Sequence, residues 1–225
     1  VLKCDLQTSQ RVPDQAVRSG IQPAARSSWK SRRFFERVYG NYGILRNRVN
    51  VSHKNAVEVW SMLSDEYRVG FGHDTHRTIH GRRLMLGGVQ IPDVDFGLDG
   101  HSDADVLLHA VTDALLGGTG LGDIGEWFSD QDHRWKDADS AELLAQVSTS
   151  IRNKGWRICN LDCTIHAERP RLLSWKPLIR ERLSEILHVE SSRINVKAKS
   201  GERVGPVGNG EAIMADAVVL LQREH

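Results

Sequence analysis

The sequence predicts an α+β domain built on one mixed β-sheet with helices on one face, and three observations lead there. From Tyr67 onward, short runs of alternating apolar residues are separated by Gly, Pro and Asp, the pattern of strands bounded by turns. Three longer stretches instead repeat their apolar residues at helical spacing. The elements fall in the order ββααβαββ, so helices are inserted between strands, and one sheet covered on a single face is the least costly arrangement. The other face should be buried by another copy of the chain, because alternation on the strands leaves few charges there.

Residues 1–66 hold 11 Lys+Arg against 6 Asp+Glu, a net +5, with no sustained period outside Phe34–Leu45 and Ala56–Leu63. They read as a basic, mostly disordered extension carrying at most two short helices. Residues 67–225 hold 19 Lys+Arg against 23 Asp+Glu, a net −4, and form the folded domain. Tyr67–Gly72 reads as a strand, and Leu84–Ile91 as a second one ended by Pro92. A helix is expected from Ser102, whose hydroxyl and the following Asp105 resemble a capping box, to Leu116, where Gly117-Gly118 stops it. Thr119–Ala138 lacks any period and is rich in Gly, Asp and Trp, which favours a functional loop. Asp139-x-x-Glu142 restarts helix as far as Lys154-Gly155, and Trp156–Ala167 alternates as a strand. Pro177 suits the first turn of a helix ending near His188. Ile194–Ala198 and Ile213–Leu221 are strands flanking a glycine-rich connector, Gly201–Gly210.

Composition narrows the class. Three cysteines, Cys4, Cys159 and Cys163, give neither a disulfide framework nor zinc-ribbon spacing, so a reducing compartment, the cytoplasm, is expected. The Arg and Ser content of the extension fits an organellar transit peptide, which would make the compartment a plastid, but Asp5, Asp14 and Glu36 oppose that reading. No run of 18 apolar residues offers a membrane span. The Arg26–Arg37 cluster reads as solvated charge, so no nucleic-acid partner is expected. A negatively charged domain that handles phosphates must neutralise them with a divalent ion, amides or local arginines.

One constellation carries chemistry. Asp74 and His76, two apart at a strand end, project to the same side and could grip one ion together with His109 from the following helix. One aspartate and two histidines leave a tetrahedral position open, the catalytic pattern for zinc. A histidine ligand needs an acceptor for its other ring nitrogen, and Asp105 or Asp113, one turn away on either side of His109, could supply it. The competing reading is ordinary polar residues at a strand end and on a solvated helix face.

Taken together, Arg68-Val-Gly-Phe-Gly-His-Asp74-Thr-His76, Gly87-Gly-Val-Gln-Ile-Pro92, His101-Ser-Asp-Ala-Asp-Val-Leu-Leu-His109, Gly122-Asp-Ile-Gly125, Val196-Lys-Ala-Lys199 and Gly210-Glu211 closely resemble 2-C-methyl-D-erythritol 2,4-cyclodiphosphate synthase of the non-mevalonate isoprenoid pathway. The resemblance covers roughly residues 67–223. It implies a homotrimer whose sheets face a central axis, with active sites between subunits. It also implies a small-molecule nucleotide substrate, 4-diphosphocytidyl-2-C-methylerythritol 2-phosphate, whose 2-phosphate attacks the β-phosphate and expels CMP.

By the same resemblance Asp74, His76 and His109 match the zinc ligands, and Glu202 the carboxylate for a magnesium or manganese ion. Asp74, His76, His101 and Ser102 stand on the phosphate side of the substrate, where the amides of the helix start also suit an anion. Asp123, Ile124 and Gly125 match a segment near the methylerythritol and ribose. Phe128, Ser129, Asp130, Gln131 and Asp132 match a flexible loop that closes over the methylerythritol. Ala167, Glu168, Arg169, Pro170, Arg171, Leu172 and Leu173 match the cytosine pocket. Lys199, Ser200 and Gly201, just before Glu202, occupy positions where many members have a threonine-rich run that holds the phosphates. The expected catalytic residues are His101, Lys199 and Glu202. Pro206 and Asn209 depart from the Phe and Arg often found near the trimer axis. Two other function classes compete: a zinc-dependent nucleotide or phosphoester hydrolase, and a nucleic-acid-binding protein that uses the basic extension.

Overall fold

The computed structural model describes residues 66–129, 131–135 and 138–224. The readings of residues 1–65 as a basic extension, transit peptide or nucleic-acid arm fall outside them. A five-stranded sheet runs in the order β4-β1-β7-β5-β6, formed by β1 (Tyr67–His80), β4 (Phe96–Leu98), β5 (Trp156–His166), β6 (Ile194–Lys199) and β7 (Ala212–Arg223). Only β5 and β6 pair in parallel, which makes the sheet mixed. β1 and β7 pair from Tyr67↔Gln222 to Arg77↔Ala212, the longest ladder in the sheet. The expected second strand is a hairpin of β2 (Leu84–Leu86) and β3 (Val89–Ile91), because Gly87 and Gly88 both take positive φ. β1 also runs eight residues beyond its expected end at Gly72, so Asp74 and His76 sit inside a paired strand.

Among the described residues five helices accompany the sheet: α1 (Val106–Thr119), α2 (Ile124–Trp127), α3 (Ser140–Asn153), α4 (Lys176–Leu187) and α5 (Gly205–Gly208). α2 lies in the stretch expected to be loop, and α5 in the glycine-rich connector. The start of α1 corrects the sequence reading, since the cap is Asp105 and not Ser102. The Asp105 carboxylate accepts from the amides of Leu107 and Leu108 at 3.1 Å each, and reaches across to Gly87 N at 2.8 Å and Gly88 N at 2.6 Å. α1 also passes through Gly117 and Gly118 and ends at Gly120 in the left-handed conformation.

The core lies between the sheet and its helices. Leu107, Leu108, Leu115 and Leu116 of α1 are wholly buried, as are Ala215, Ala217, Val219 and Leu221 of β7. Each leucine so buried contributes about 2 kcal/mol. α1 lies against β1 with backbone nearly touching backbone. A Cβ on Gly70 would stand 1.8 Å from the Ala114 carbonyl oxygen, and one on Gly72 2.0 Å from that of Ala110.

The opposite face of the sheet exposes Val69, Phe71 and Val218, at 68%, 62% and 42% of their surface. It carries more charge than the alternation suggested. His73 Nδ1 and His166 Nε2 meet the two Asp216 oxygens at 2.7 and 2.8 Å, and Asp162 accepts from Lys197 Nζ at 2.6 Å and Asn195 Nδ2 at 2.9 Å. Asp216 and Asp162 are therefore both paired within this face.

Because the β1–α1 seam admits no side chain, Gly72→Ala should cost about 3 kcal/mol or more of unfolding free energy in urea. Gly81→Ala, at a positive-φ turn with open space around it, should cost about 1 kcal/mol. Equal losses would show that the seam is not closely packed.

Candidate metal centre

Alternation along β1 puts Gly70, Gly72, Asp74 and His76 on the face turned toward α1. The two glycines let the helix approach, and the two ligand candidates follow where the helix begins. His109, one turn after the Asp105 cap, meets them there. Its Nδ1 lies 3.0 Å from Asp74 Oδ2 and 3.1 Å from His76 Nε2, and His76 Nε2 is 3.0 Å from the same carboxylate oxygen. Among the described residues this is the one group of three or more His, Cys, Asp or Glu whose donor atoms converge within 4.8 Å. Zinc–nitrogen and zinc–oxygen bonds of about 2 Å in a tetrahedron put ligand atoms roughly 3.3 Å apart, so this donor set fits such an ion with one position left open.

The outer ring nitrogens are held, but by groups other than those expected. His76 Nδ1 donates to the Asp99 carbonyl at 2.5 Å, which leaves Nε2 free to bind a cation. His109 Nε2 lies 3.0 Å from Ser140 Oγ and 3.2 Å from Ser102 Oγ, while Ser140 donates to Asp103 Oδ1 at 2.5 Å. Ser140 thus accepts from His109, leaving Nδ1 as the ligand atom. Asp105 and Asp113, expected in this role, are used elsewhere: Asp105 caps α1, and Asp113 Oδ1 accepts from Ile124 N at 2.8 Å. Both aspartates are committed to backbone amides, whereas the acceptors approach from α3 and from the loop after β4.

Burial by itself would raise the Asp74 pKa, but hydrogen bonds and charge from His109 and His76 outweigh it and keep the carboxyl well below the usual range. Burial likewise opposes protonation of His76, yet Asp74 and the Asp99 carbonyl raise its pKa overall. The pocket therefore favours an ionised carboxylate and a positive charge beside it, the balance that a bound divalent cation would satisfy.

A cavity of about 270 Å³ opens over the triad, and His101, Ser102, Ile124, Gly125, Phe128 and Trp135 are among its walls. Asp123, beside it, caps α2 through Glu126 N at 2.9 Å. Ser129, Gln131 and Asp132 follow Phe128 on the exposed side, and Asp132 pairs with Arg134; Asp130 lies outside the described residues. Most of the amides at the helix start are already engaged. Those of Asp103, Ala104, Asp105, Leu107 and Leu108 donate to protein oxygens, so side chains have to share in meeting an anion here.

The remaining predicted site residues form a second cluster. Ala167 N donates to the Lys199 carbonyl at 2.9 Å, joining the Ala167–Leu173 segment to the end of β6. Glu168 Oε2 accepts from Gly201 N at 3.1 Å and lies 3.5 Å from Arg203 N, beneath a turn in which Glu202 and Arg203 both have positive φ. Glu202 accepts from Ser200 Oγ at 3.0 Å, and Lys199 is exposed. Arg169, Pro170, Arg171 and Leu173 lie at the surface and Leu172 is buried. None of these residues lines the cavity at the triad. The sequence reading missed Ser140 and the Asp99 carbonyl; the only sequence signal for Ser140 is a hydroxyl directly after the Asp139 cap.

The chain is similar to known proteins over most of its described residues. The profile of the YgbB family matches residues 67–222. A Synechococcus elongatus protein described as 2-C-methyl-D-erythritol 2,4-cyclodiphosphate synthase is 51% identical over 158 residues, covering 70% of this chain and 98% of that protein. A bifunctional Campylobacter jejuni protein, IspDF, has a similar fold at TM-score 0.68 and 40% identity, covering 71% of this chain and 43% of that one. A Plasmodium falciparum IspF solved as a CDP complex matches at TM-score 0.63 and 31% identity, over 71% of this chain and 97% of that one.

If the triad is a metal centre, His109→Ala should retain almost no tightly bound divalent metal by elemental analysis after dialysis. His101→Ala, altered in the cavity wall only, should keep it. Full occupancy in the His109 variant would remove the assignment.

Proposed function

The chain belongs to the YgbB family, and from that membership and its three-donor centre we propose that it converts 4-diphosphocytidyl-2-C-methyl-D-erythritol 2-phosphate to 2-C-methyl-D-erythritol 2,4-cyclodiphosphate and CMP. The enzyme is then a phosphorus–oxygen lyase: an oxygen of the 2-phosphate bonds to the β-phosphorus, and the bond from that phosphorus to the bridging oxygen of CMP breaks. The observation that carries this reading is a centre with one open position facing a cavity, on a chain half identical to cyclodiphosphate synthases. The hydrolase alternative is not favoured.

Asp74, His76 and His109 would hold zinc, which supplies Lewis-acid polarisation of a phosphoryl oxygen when bound. The attacking phosphate is already an anion and needs no strong base, so the chain's contribution is positioning and charge neutralisation. His101 and Ser102 approach the phosphate side from the cavity wall, while Ile124, Gly125 and Phe128 form the wall for the methylerythritol and exclude water from it. Glu202 would hold magnesium or manganese at the diphosphate, with Lys199 adding a cation nearby. Glu168 is committed to the turn beneath Glu202, so the base would be read through the backbone of Ala167–Leu173.

These two groups of residues need a second subunit to meet, and we place them in a homotrimer whose open sheet faces line the axis. The exposed Val69, Phe71 and Val218 and the internally paired charges on that face support such burial. Asn209 donates to Glu211 at 3.3 Å and brings no cation to the axis, so no isoprenoid diphosphate is expected to bind there. Among the described residues no helix is long and apolar enough to cross a membrane, and we place the enzyme in the cytoplasm.

Phosphorus NMR of the reaction with purified protein should show the cyclic diphosphate and CMP in equal amounts; a linear phosphate product would establish hydrolysis instead. Glu202→Gln should leave bound zinc unchanged and raise the magnesium or manganese concentration needed for half-maximal rate. An unaltered requirement would exclude Glu202 as the second ligand set. A chain beginning near Asp65 should match the full chain in rate and sedimentation mass, and loss of the trimer would assign the extension a structural role.

A further inference from the structure

One short segment holds the outer ring nitrogen of His76 and also touches that of His109, whose main partner is Ser140. The Asp99 carbonyl accepts from His76 Nδ1, and three residues later Ser102 Oγ contacts His109 Nε2. No regular element contains Gly100, His101 or Ser102, and Ala104, just beyond, has φ +56°, a value that side-chain-bearing residues seldom adopt. Gly100 is also close-packed, for a Cβ there would stand 3.0 Å from His76 Cε1. A segment of this kind needs an external brace to keep its carbonyls and hydroxyl aimed.

Arg82, in the turn between β1 and β2, supplies one. Its Nη1 donates to the Gly100 carbonyl at 2.7 Å and its Nη2 to the Ser102 carbonyl, so one planar guanidinium bridges the two ends of the His101 segment. The fork is what makes this bracing geometric, because a single ammonium cannot hold two carbonyls at fixed separation. We propose that Arg82 is a positioning residue for the metal centre, acting through the Asp99–Ser102 segment to hold the His76 ring in the tautomer and orientation that bind the ion. Arg82 does not line the cavity at the triad. Its effect reaches the ion in two steps, from guanidinium to loop carbonyls and from loop to the His76 ring. The inference rests on Asp74, His76 and His109 being metal ligands.

Zinc alone is the probe, titrated into the metal-free full chain against a chromophoric chelator. Arg82→Met, which keeps the apolar stem and removes the fork, should weaken zinc affinity about tenfold, the scale seen for the groups that orient metal-bound histidines. Arg82→Lys should recover only part of that loss. Ring ¹⁵N NMR of the metal-free protein, at a pH high enough for His76 to be neutral, should show a single Nδ1–H tautomer for His76 in the wild type and a mixture in Arg82→Met, a change that simple loop closure would not produce. Unaltered affinity and unaltered ring shifts in Arg82→Met would overturn the positioning role while leaving the metal centre standing. No zinc binding by the wild type would overturn both. Should Arg82→Met fail to fold, Arg82→Lys decides, since wild-type affinity and ring shifts there would refute the need for a fork.

Discussion

Asp105 has no exposed surface, yet its carboxylate ties two parts of the chain that are 17 and 18 residues apart, the first turn of α1 and the Gly87-Gly88 turn of the β2–β3 hairpin. Burying an ionised carboxylate costs several kcal/mol unless it is matched. Burial here pushes the Asp105 pKa up against the opposing pull of the backbone amides, of which four donate to it. Four such bonds at about 1.5–3 kcal/mol each offset part of the desolvation. The interaction sets where α1 starts, and so how the helix is rotated about its axis. The glycine seam at Gly70 and Gly72 then sets how near the helix lies to β1. With rotation and distance both determined, His109 has only one place to go, beside Asp74 and His76.

This division of labour explains why polar residues dominate a small region of an otherwise apolar packing layer. The core side of β1 changes from glycine to ligand along its length, from the close seam at Gly70 and Gly72 to donors at Asp74 and His76. α1 does the same in reverse, with Ala114 and Ala110 at the seam and His109 at the end. The cavity therefore opens where the two elements stop touching. A domain with net charge −4 has no general attraction for a phosphate-rich substrate. Local cations have to do that work, and a divalent ion held by one carboxylate and two neutral rings leaves a net positive point in a negatively charged domain.

How far all this could be read in advance depended on the range of each interaction. Asp74, His76 and His109 were legible because ligand chemistry restricts residue type and because periodicity aims each side chain. The mixed sheet and its helix-covered face followed from the same periodicities, although whether that face is trimeric is a reading of family resemblance. The start of α1 was misjudged because Ser102 and Asp105 both carry cap chemistry; the deciding partners of Asp105, Gly87 and Gly88, are near only in three dimensions. Ser140 and the Asp99 carbonyl were missed for the same reason, since a serine at a helix start and a backbone oxygen carry no sequence mark of the histidine they meet. The charges of the open face, expected to be few, were accepted there because Asp216 and Asp162 each find partners on neighbouring strands of the same face.

The most direct measurement is anomalous diffraction at the zinc edge from crystals of zinc-loaded protein. The account predicts one strong peak per chain, bonded at about 2 Å to Asp74 Oδ2, His76 Nε2 and His109 Nδ1, with the fourth position taken by a non-protein group. A peak at a different set of side chains, or bonding through His76 Nδ1 or His109 Nε2, would contradict it.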